Sequence, residues 1–296
     1  MNEYSYNNFG SNFERIFIGL ISVAAGVTLI YLALMGPLYL GLIKYRTPEV
    51  INNQLVGQDL VNLAVVGPIL LIGGILLWLR KKVAKYLLIL TPLFLIYYAL
   101  SYTIGWEWSS PQYSGNNEKY FFHFLLILIA ALLIMFYCLS VFPKKVSAHF
   151  KKTSLGLYSS LFVLFLLVFA GMWIKEVVEV IKTGTTRGYD TSPIVFWLVR
   201  VFDLGFSIPL GLISVYLLWT RVDKAYPLIY LFYGFFFTQI LAVKAMGWMM
   251  FVKHDPTFAM CDLVVFSVLA LIIIFGFVYV RRNYREEREP RRDRLS

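Results

Sequence analysis

The chain has 296 residues, of which 59% are hydrophobic and 15% are charged. A soluble domain carries about a quarter charged residues, and long uncharged stretches such as residues 16–43 exclude a water-soluble core. The formal net charge of +10 does not indicate nucleic-acid binding, because the basic residues flank the apolar stretches, as they do in membrane proteins.

Eight apolar stretches follow one another along the chain, and each is long enough to cross a bilayer. A spanning helix needs about 20 mainly apolar residues, because the hydrocarbon core is about 30 Å thick. We therefore predict an all-α integral membrane protein. Its helices are expected at residues 15–43, 59–80, 84–104, 120–142, 154–181, 193–219, 225–251 and 258–281. The first stretch follows Glu3 and Glu14 instead of basic residues, so we expect it to remain as a span and not to be cleaved as a signal peptide.

Basic residues collect in every second connecting loop. They are Arg80, Lys81, Lys82 and Lys85; then Lys144, Lys145, Lys151 and Lys152; then Arg221 and Lys224; and finally the arginines from Arg281 onward. Loops rich in lysine and arginine stay on the cytoplasmic side. The sequence thus predicts a multi-pass protein of the cell membrane with both termini in the cytoplasm.

The second half of the chain resembles the first. Pro68–Arg80 aligns without gaps on Pro209–Arg221, so that proline matches proline, tryptophan matches tryptophan and arginine matches arginine. We interpret this as two parallel four-helix repeats. The predicted organisation is a cytoplasmic segment 1–14, repeat one at 15–143, a basic loop at 144–153, repeat two at 154–281 and a charged, solvated or partly helical tail at 282–296. Binding sites in such proteins tend to lie between the halves.

Polar residues within the spans gather toward the outer side, when depth is counted at about 1.5 Å per residue from the cytoplasmic charges. Ionisable groups at membrane depth usually face the bundle interior or a hydrated cavity. The candidate ligand-binding residues are Asp59, Asn62, His123, Glu176, Arg200, Asp203, Lys244 and Asp262. The alternatives are a structural ion-pair network and simple contact with lipid headgroups.

Two of these residues stand one turn apart on helix six. Arg200 and Asp203 are spaced i and i+3, so we expect them to share a face and to pair. The repeat register sets Asp59 opposite Arg200 and Asn62 opposite Asp203, which predicts an ion-paired interface between the halves. Pro68 and Pro209 are expected to kink their helices.

Two resemblances accompany these motifs. The patterns Q-D-L-V-x-L…P at Gln58–Pro68 and V-R-x-x-D-L-G-x-x-x-P at Val199–Pro209 resemble those of a group of prokaryotic polytopic membrane proteins without an assigned function. The helix with Asp203 six residues before Pro209 is also similar to one helix of the EXPERA family of sterol isomerases and sigma-2-type receptors. That resemblance implies that the acid holds a cationic group, but residues 16–43 lack the acidic residue that the family carries there.

Three functions remain open from the sequence. The first is a protein that binds or transforms a lipid or another amphipathic small molecule at an outward-facing polar site, with membrane lipids as its partners. The second is a secondary transporter built from parallel repeats, and the third is a non-catalytic subunit of a membrane complex.

The sequence contains no P-loop, G-x-S-x-G, H-E-x-x-H or Cys/His cluster, so we predict neither a cofactor nor a metal. The sequence does not decide whether the protein is an enzyme. Cys138 and Cys261 lie in different apolar segments, and we expect no disulfide between them.

Overall fold

The computed structural model describes residues 9–105, 114–143, 146–255 and 258–286. Of the described residues, 82% are helical, and eight helices among them are long and apolar enough to cross a membrane. They are α1 (Asn12–Met35), α2 (Ile51–Trp78), α3 (Val83–Ile104), α4 (Asn117–Val141), α5 (Lys152–Thr183), α6 (Pro193–Thr220), α7 (Val222–Val252) and α8 (Met260–Asn283). The predicted all-α membrane fold is confirmed.

Two helix ends differ from the sequence prediction. Helix α1 stops at Met35, eight residues early, because Gly36 leaves the helical conformation and Pro37 cannot continue the hydrogen-bond ladder. The helical conformation that continues into α2 begins at Glu49, ten residues before the predicted start of this span. Its first three turns are rich in asparagine and glutamine, so hydropathy alone does not detect them.

Three spans are irregular inside the helix. Helix α2 contains a π-helical turn at Asn62–Val66, α6 contains one at Asp203–Ser207, and α3 breaks before Pro92 and ends in a third at Ser101–Gly105. The first two lie directly before Pro68 and Pro209. Proline lacks an N–H and its ring clashes with the carbonyl one turn back, and a π-helical turn is a common way to absorb such a defect.

The π-helical turns of α2 and α6 start at positions that the repeat alignment pairs. In each, the residue after the turn donates its N–H to the carbonyl five residues earlier, which belongs to Asn62 in one half and to Asp203 in the other. The two tryptophans of the alignment also act alike. The Nε1 of Trp78 donates to the Ile16 carbonyl on α1 at 3.1 Å, and that of Trp219 donates to Ser159 Oγ on α5 at 2.9 Å. Duplication remains a prediction to which these parallels add weight.

Glycines set the closest helix contacts. A Cβ on Gly74 would lie 2.7 Å from the Gly19 carbonyl oxygen, so α1 and α2 pack backbone to backbone. A Cβ on Gly57 would lie 2.4 Å from the Met246 nitrogen, which fixes α2 of the first half against α7 of the second. Small residues permit this approach in membranes, where apolar side chains gain little by leaving lipid. The most buried spans are α3 and α7, and α5 and α8 lie at the periphery.

A small sheet joins the linker between the halves to the C-terminal side of α8. Strand β1 (Val146–Ala148) pairs antiparallel with β2 (Tyr284–Glu286). Tyr284 is 2% exposed and its hydroxyl donates to the Val222 carbonyl at 2.9 Å. The charged tail was predicted to be solvated or partly helical from residue 282, and this is wrong for residues 284–286, because the exposed backbone of the linker offers them a strand partner.

Candidate functional site

A cavity of about 660 Å³ lies at the end of the bundle opposite the basic loops. We call it the vestibule. Helix α5 contributes Glu176 and Glu179 to its wall, α6 contributes Arg200, and the first turns of α2 contribute Gln54. The side chains come from both halves of the chain, so the vestibule lies between the halves.

A second cavity of about 220 Å³ adjoins the vestibule toward the middle of the bundle. We call it the chamber. Residues that line both cavities are Gln54, Val195, Val199, Val243, Met246 and Phe266. The chamber walls are mostly aromatic: Phe94, Tyr97, Tyr98, Tyr102, Phe165, Phe169, Trp173, Phe235 and Phe236. Apart from tyrosine and tryptophan, its polar lining consists of Gln54, Gln58, Ser101, Asp203 and Gln239.

Arg200 stands at the junction of the two cavities. Its guanidinium carbon lies 4.2 Å from the ring centroid of Trp173 and 3.8 Å from that of Phe196. Its Nη2 donates to Glu176 Oε2, and the arginine side chain is only 11% exposed. A guanidinium between two rings is held by cation–π attraction, while the carboxylate from α5 supplies the opposite charge.

Asp203 does not pair with Arg200, so that prediction is wrong. The i, i+3 spacing places both residues on α6, but α5 stands beside them and offers Glu176 to the arginine. The π-helical turn starts at Asp203, whose carboxylate lines the chamber and accepts a long hydrogen bond of 3.5 Å from Ser207 Oγ. Arg200 thus lines the vestibule, whereas Asp203 lines the chamber.

Several polar atoms of the cavity walls have no hydrogen-bond partner within the described part of the chain. They are Ser101 Oγ, Ser192 Oγ, Gln239 Oε1 and Arg200 Nε. Ser101 and Ser192 are 6% and 3% exposed. Buried polar groups in folded proteins are nearly always satisfied, so the arrangement calls for water or the polar part of a ligand.

The first half holds a closed polar cluster behind the chamber. Asp59 is 1% exposed; its Oδ2 accepts a 3.4 Å hydrogen bond from the Leu38 N–H, and its Oδ1 has no partner. Gln58 Nε2 donates to Asn62 Oδ1 at 3.3 Å. Because Asp59 makes no ion pair within the described residues, the predicted ion-paired interface with Arg200 is wrong. Each residue finds its partners inside its own half.

Tyr45, a neighbour of Asp59 in this cluster, is also shielded from water. It lies in the connection between α1 and α2 and is 4% exposed. Burial raises the pKa of its hydroxyl well above the ordinary value, and the neighbouring Tyr98 and Asp59 raise it further. A tyrosine with such an environment stays neutral, so no charge from it balances or adds to that of Asp59.

Two of the remaining candidates lie away from the cavities. His123 stacks on Tyr31 with ring centroids 5.3 Å apart, between α4 and α1. Lys244 is half-buried on α7 and lines neither cavity. The side chain of Asp262 falls outside the described residues. Of the eight candidates, the structure thus brings Glu176, Arg200 and Asp203 to the cavities. Asp59 and Asn62 lie in the adjoining closed cluster.

Sequence reasoning missed the neutral part of the site. Gln239 and Ser101 are single polar residues in apolar runs, and such isolation in a spanning helix was a usable signal. The aromatic walls carried none, because phenylalanine and tyrosine are frequent along the whole chain. Within the described residues, no three His, Cys, Asp or Glu side chains are grouped to hold a metal. Cys138 and Cys261 are free thiols.

No protein-family model matches the chain, and neither the curated proteins nor the solved structures include a significant match to it.

Proposed function

We propose that this protein binds an amphipathic small molecule, a lipid or a related compound, in the vestibule and chamber between its two halves. The observation that supports this proposal is a pair of adjoining cavities, one with charged side chains at its wall and one with an aromatic interior. Small-molecule sites commonly measure about 300–1,000 Å³ and combine apolar walls with a few placed polar groups. The vestibule, at about 660 Å³, falls in that range.

The two cavities suit the two ends of such a molecule. The polar end would lie in the vestibule, beside Arg200 and Glu176 and within reach of the unpartnered Ser192 hydroxyl. The apolar end would lie in the chamber, among the rings that surround Tyr97 and Trp173. An apolar tail gains little by leaving lipid, so the chamber accommodates the tail and the polar groups of the vestibule supply orientation.

The charges at the mouth favour a zwitterionic or cationic head over a simple anion. Among the described side chains of both cavities, Glu176, Glu179 and Asp203 are acidic and Arg200 is basic. Arg200 is already paired with Glu176, and an anion would have to displace that carboxylate. A head that carries a positive group can approach the acids without breaking the pair.

We further propose that the vestibule opens on the outer side of the cell membrane, with both termini in the cytoplasm, because the basic loops lie at the opposite end of the bundle. Cys261 is exposed at the start of α8, and Cys138 is buried. A membrane-impermeant thiol reagent should therefore modify Cys261 in intact cells. If Cys261 is labelled only after cell lysis, the protein has the opposite orientation in the membrane.

The binding proposal is tested by replacing Arg200 with methionine. The protein is purified in mild detergent, and co-purified small molecules are extracted and quantified per mole by mass spectrometry. Arg200→Met removes the cation that orders Glu176 and both rings, so bound amphiphile should fall by about tenfold, which corresponds to about 1.4 kcal/mol. Glu176→Gln should act in the same direction.

Lys175→Met is the matched control, because Lys175 is an exposed base on α5 that lines neither cavity. It should keep the wild-type content of bound amphiphile. Equal contents in the Arg200→Met, Lys175→Met and wild-type proteins, all monodisperse and equally helical, would contradict the proposal.

A further inference from the structure

The two halves differ in how their first and fourth helices meet. In the first half, α1 packs along α4. The Tyr31 ring stacks on His123, and Ala130 and Ala131 of α4 are completely buried. The flank of the first half is therefore sealed.

The corresponding helices of the second half, α5 and α8, are not packed in this way. They meet near the basic end of the bundle, where the rings of Tyr158 and Tyr279 stack with centroids 5.1 Å apart. Further along, no described side chain of residues 167–179 on α5 or 260–272 on α8 is buried. The two helices thus part on the side of the vestibule.

The gap between them leads into the chamber. Phe169 and Trp173 of α5 line the chamber from one side, and Phe266 and Leu269 of α8 line it from the other. The chamber is therefore bordered here by two helices that pack little against each other.

The rim of the gap is apolar. Leu167 and Val168 on α5 are 56% and 65% exposed, and Val265 and Val268 on α8 are 46% and 52% exposed. In a bilayer such side chains contact acyl chains, and none of these four carries a charge that an acyl chain would have to pass on its way to the rings of the chamber. Lipid chains also gain little or lose little by moving from lipid to an apolar protein wall.

We propose that the gap between α5 and α8 is a lateral portal through which an acyl chain of a lipid in the surrounding bilayer occupies the chamber. This inference rests on the proposed function and names the source and the chemical class of its ligand. The chain enters sideways from the membrane, and the head remains at the vestibule beside Arg200 and Glu176.

Photolabelling from within the bilayer tests the portal. The full-length protein is reconstituted in phosphatidylcholine vesicles that contain a phosphatidylcholine with a diazirine at the end of one acyl chain, irradiated, and mapped by mass spectrometry. Tyr97 on α3 and Gln239 on α7 line the chamber but lie on neither of the portal helices. We expect adducts on both, in addition to adducts on outward-facing residues such as Val168.

Two leucines of α8 supply the matched variants. Leu269→Trp places a larger ring in the chamber and should abolish the adducts on Tyr97 and Gln239. Leu271→Trp changes a residue that is 53% exposed on the same helix and should leave them unchanged. Wild-type adducts that are confined to outward-facing residues would overturn the portal, and so would equal labelling of Tyr97 and Gln239 in the two variants. If Leu269→Trp does not fold, the adducts mapped on the wild-type protein decide by themselves whether the portal is overturned.

The two proposals fail differently. Co-purified amphiphile together with an unlabelled Tyr97 and Gln239 overturns lateral access and leaves the binding function in place. Adducts on these two residues, together with an amphiphile content that Arg200→Met and Glu176→Gln leave unchanged, overturn the proposed binding of the polar head in the vestibule and support the portal.

Discussion

Carboxylates at membrane depth have different surroundings in the two halves. Glu176 is paired with an arginine that two rings hold in place, whereas Asp59 is buried with one oxygen unpartnered and no ion pair within the described residues. A buried ionised carboxylate without a partner costs several kcal/mol, and even a protonated one gains little from a single long hydrogen bond. The difference separates a residue that lines a cavity from one that is only enclosed.

Asp59→Asn should therefore retain or raise the thermal stability of the protein. The amide has the same shape, it can still accept from the Leu38 N–H, and it avoids the cost of burying a carboxylate that has no ion-pair partner. The reciprocal change Asn62→Asp, in the same cluster and completely buried, should lower stability, because it places a second carboxylate one turn from the first. Thermal unfolding in detergent measures both, and a large loss in Asp59→Asn would mean that Asp59 holds a cation.

The helices were predictable as elements, but their contacts were not. Apolar length alone places eight spans, because a bilayer imposes that length. The end of α1 at Met35 was missed since Gly36 and Pro37 carry no charge, and the start at Glu49 was missed since its turns are polar. Which helices touch depends on glycines such as Gly57, whose role becomes visible only when the facing backbone is known.

Gly57→Ala should separate α2 from α7 and destabilise the protein. The new Cβ would lie 2.4 Å from the Met246 nitrogen and 2.5 Å from the Ala245 carbonyl carbon, and backbone cannot yield as a flexible side chain can. We expect a loss of about 1–3 kcal/mol, as for other overpacked sites. Gly171→Ala is the control, with nothing within 4 Å of its Cβ, and should be neutral or slightly stabilising because alanine favours helix. Equal melting temperatures for the two variants would show that α2 and α7 do not pack as described.

At the scale of the whole molecule, one half is closed and the other is open. In the first half, Asp59 and Asn62 form a sealed polar cluster. In the second half, Glu176, Arg200 and Asp203 line the cavities that lie between the halves. The sequence predicted that polar residues gather toward one end, because charges can be counted along each span. It could not predict which of them face a cavity, because that depends on how far α5 and α8 stand apart.

The most direct test is an electron cryomicroscopy map of the protein in lipid nanodiscs. We predict elongated density between the halves, with its polar end beside Arg200 and Glu176 and its apolar end among the rings around Tyr97 and Trp173. A map in which α5 and α8 pack together as α1 and α4 do, and in which the cavity is filled by side chains, would contradict it.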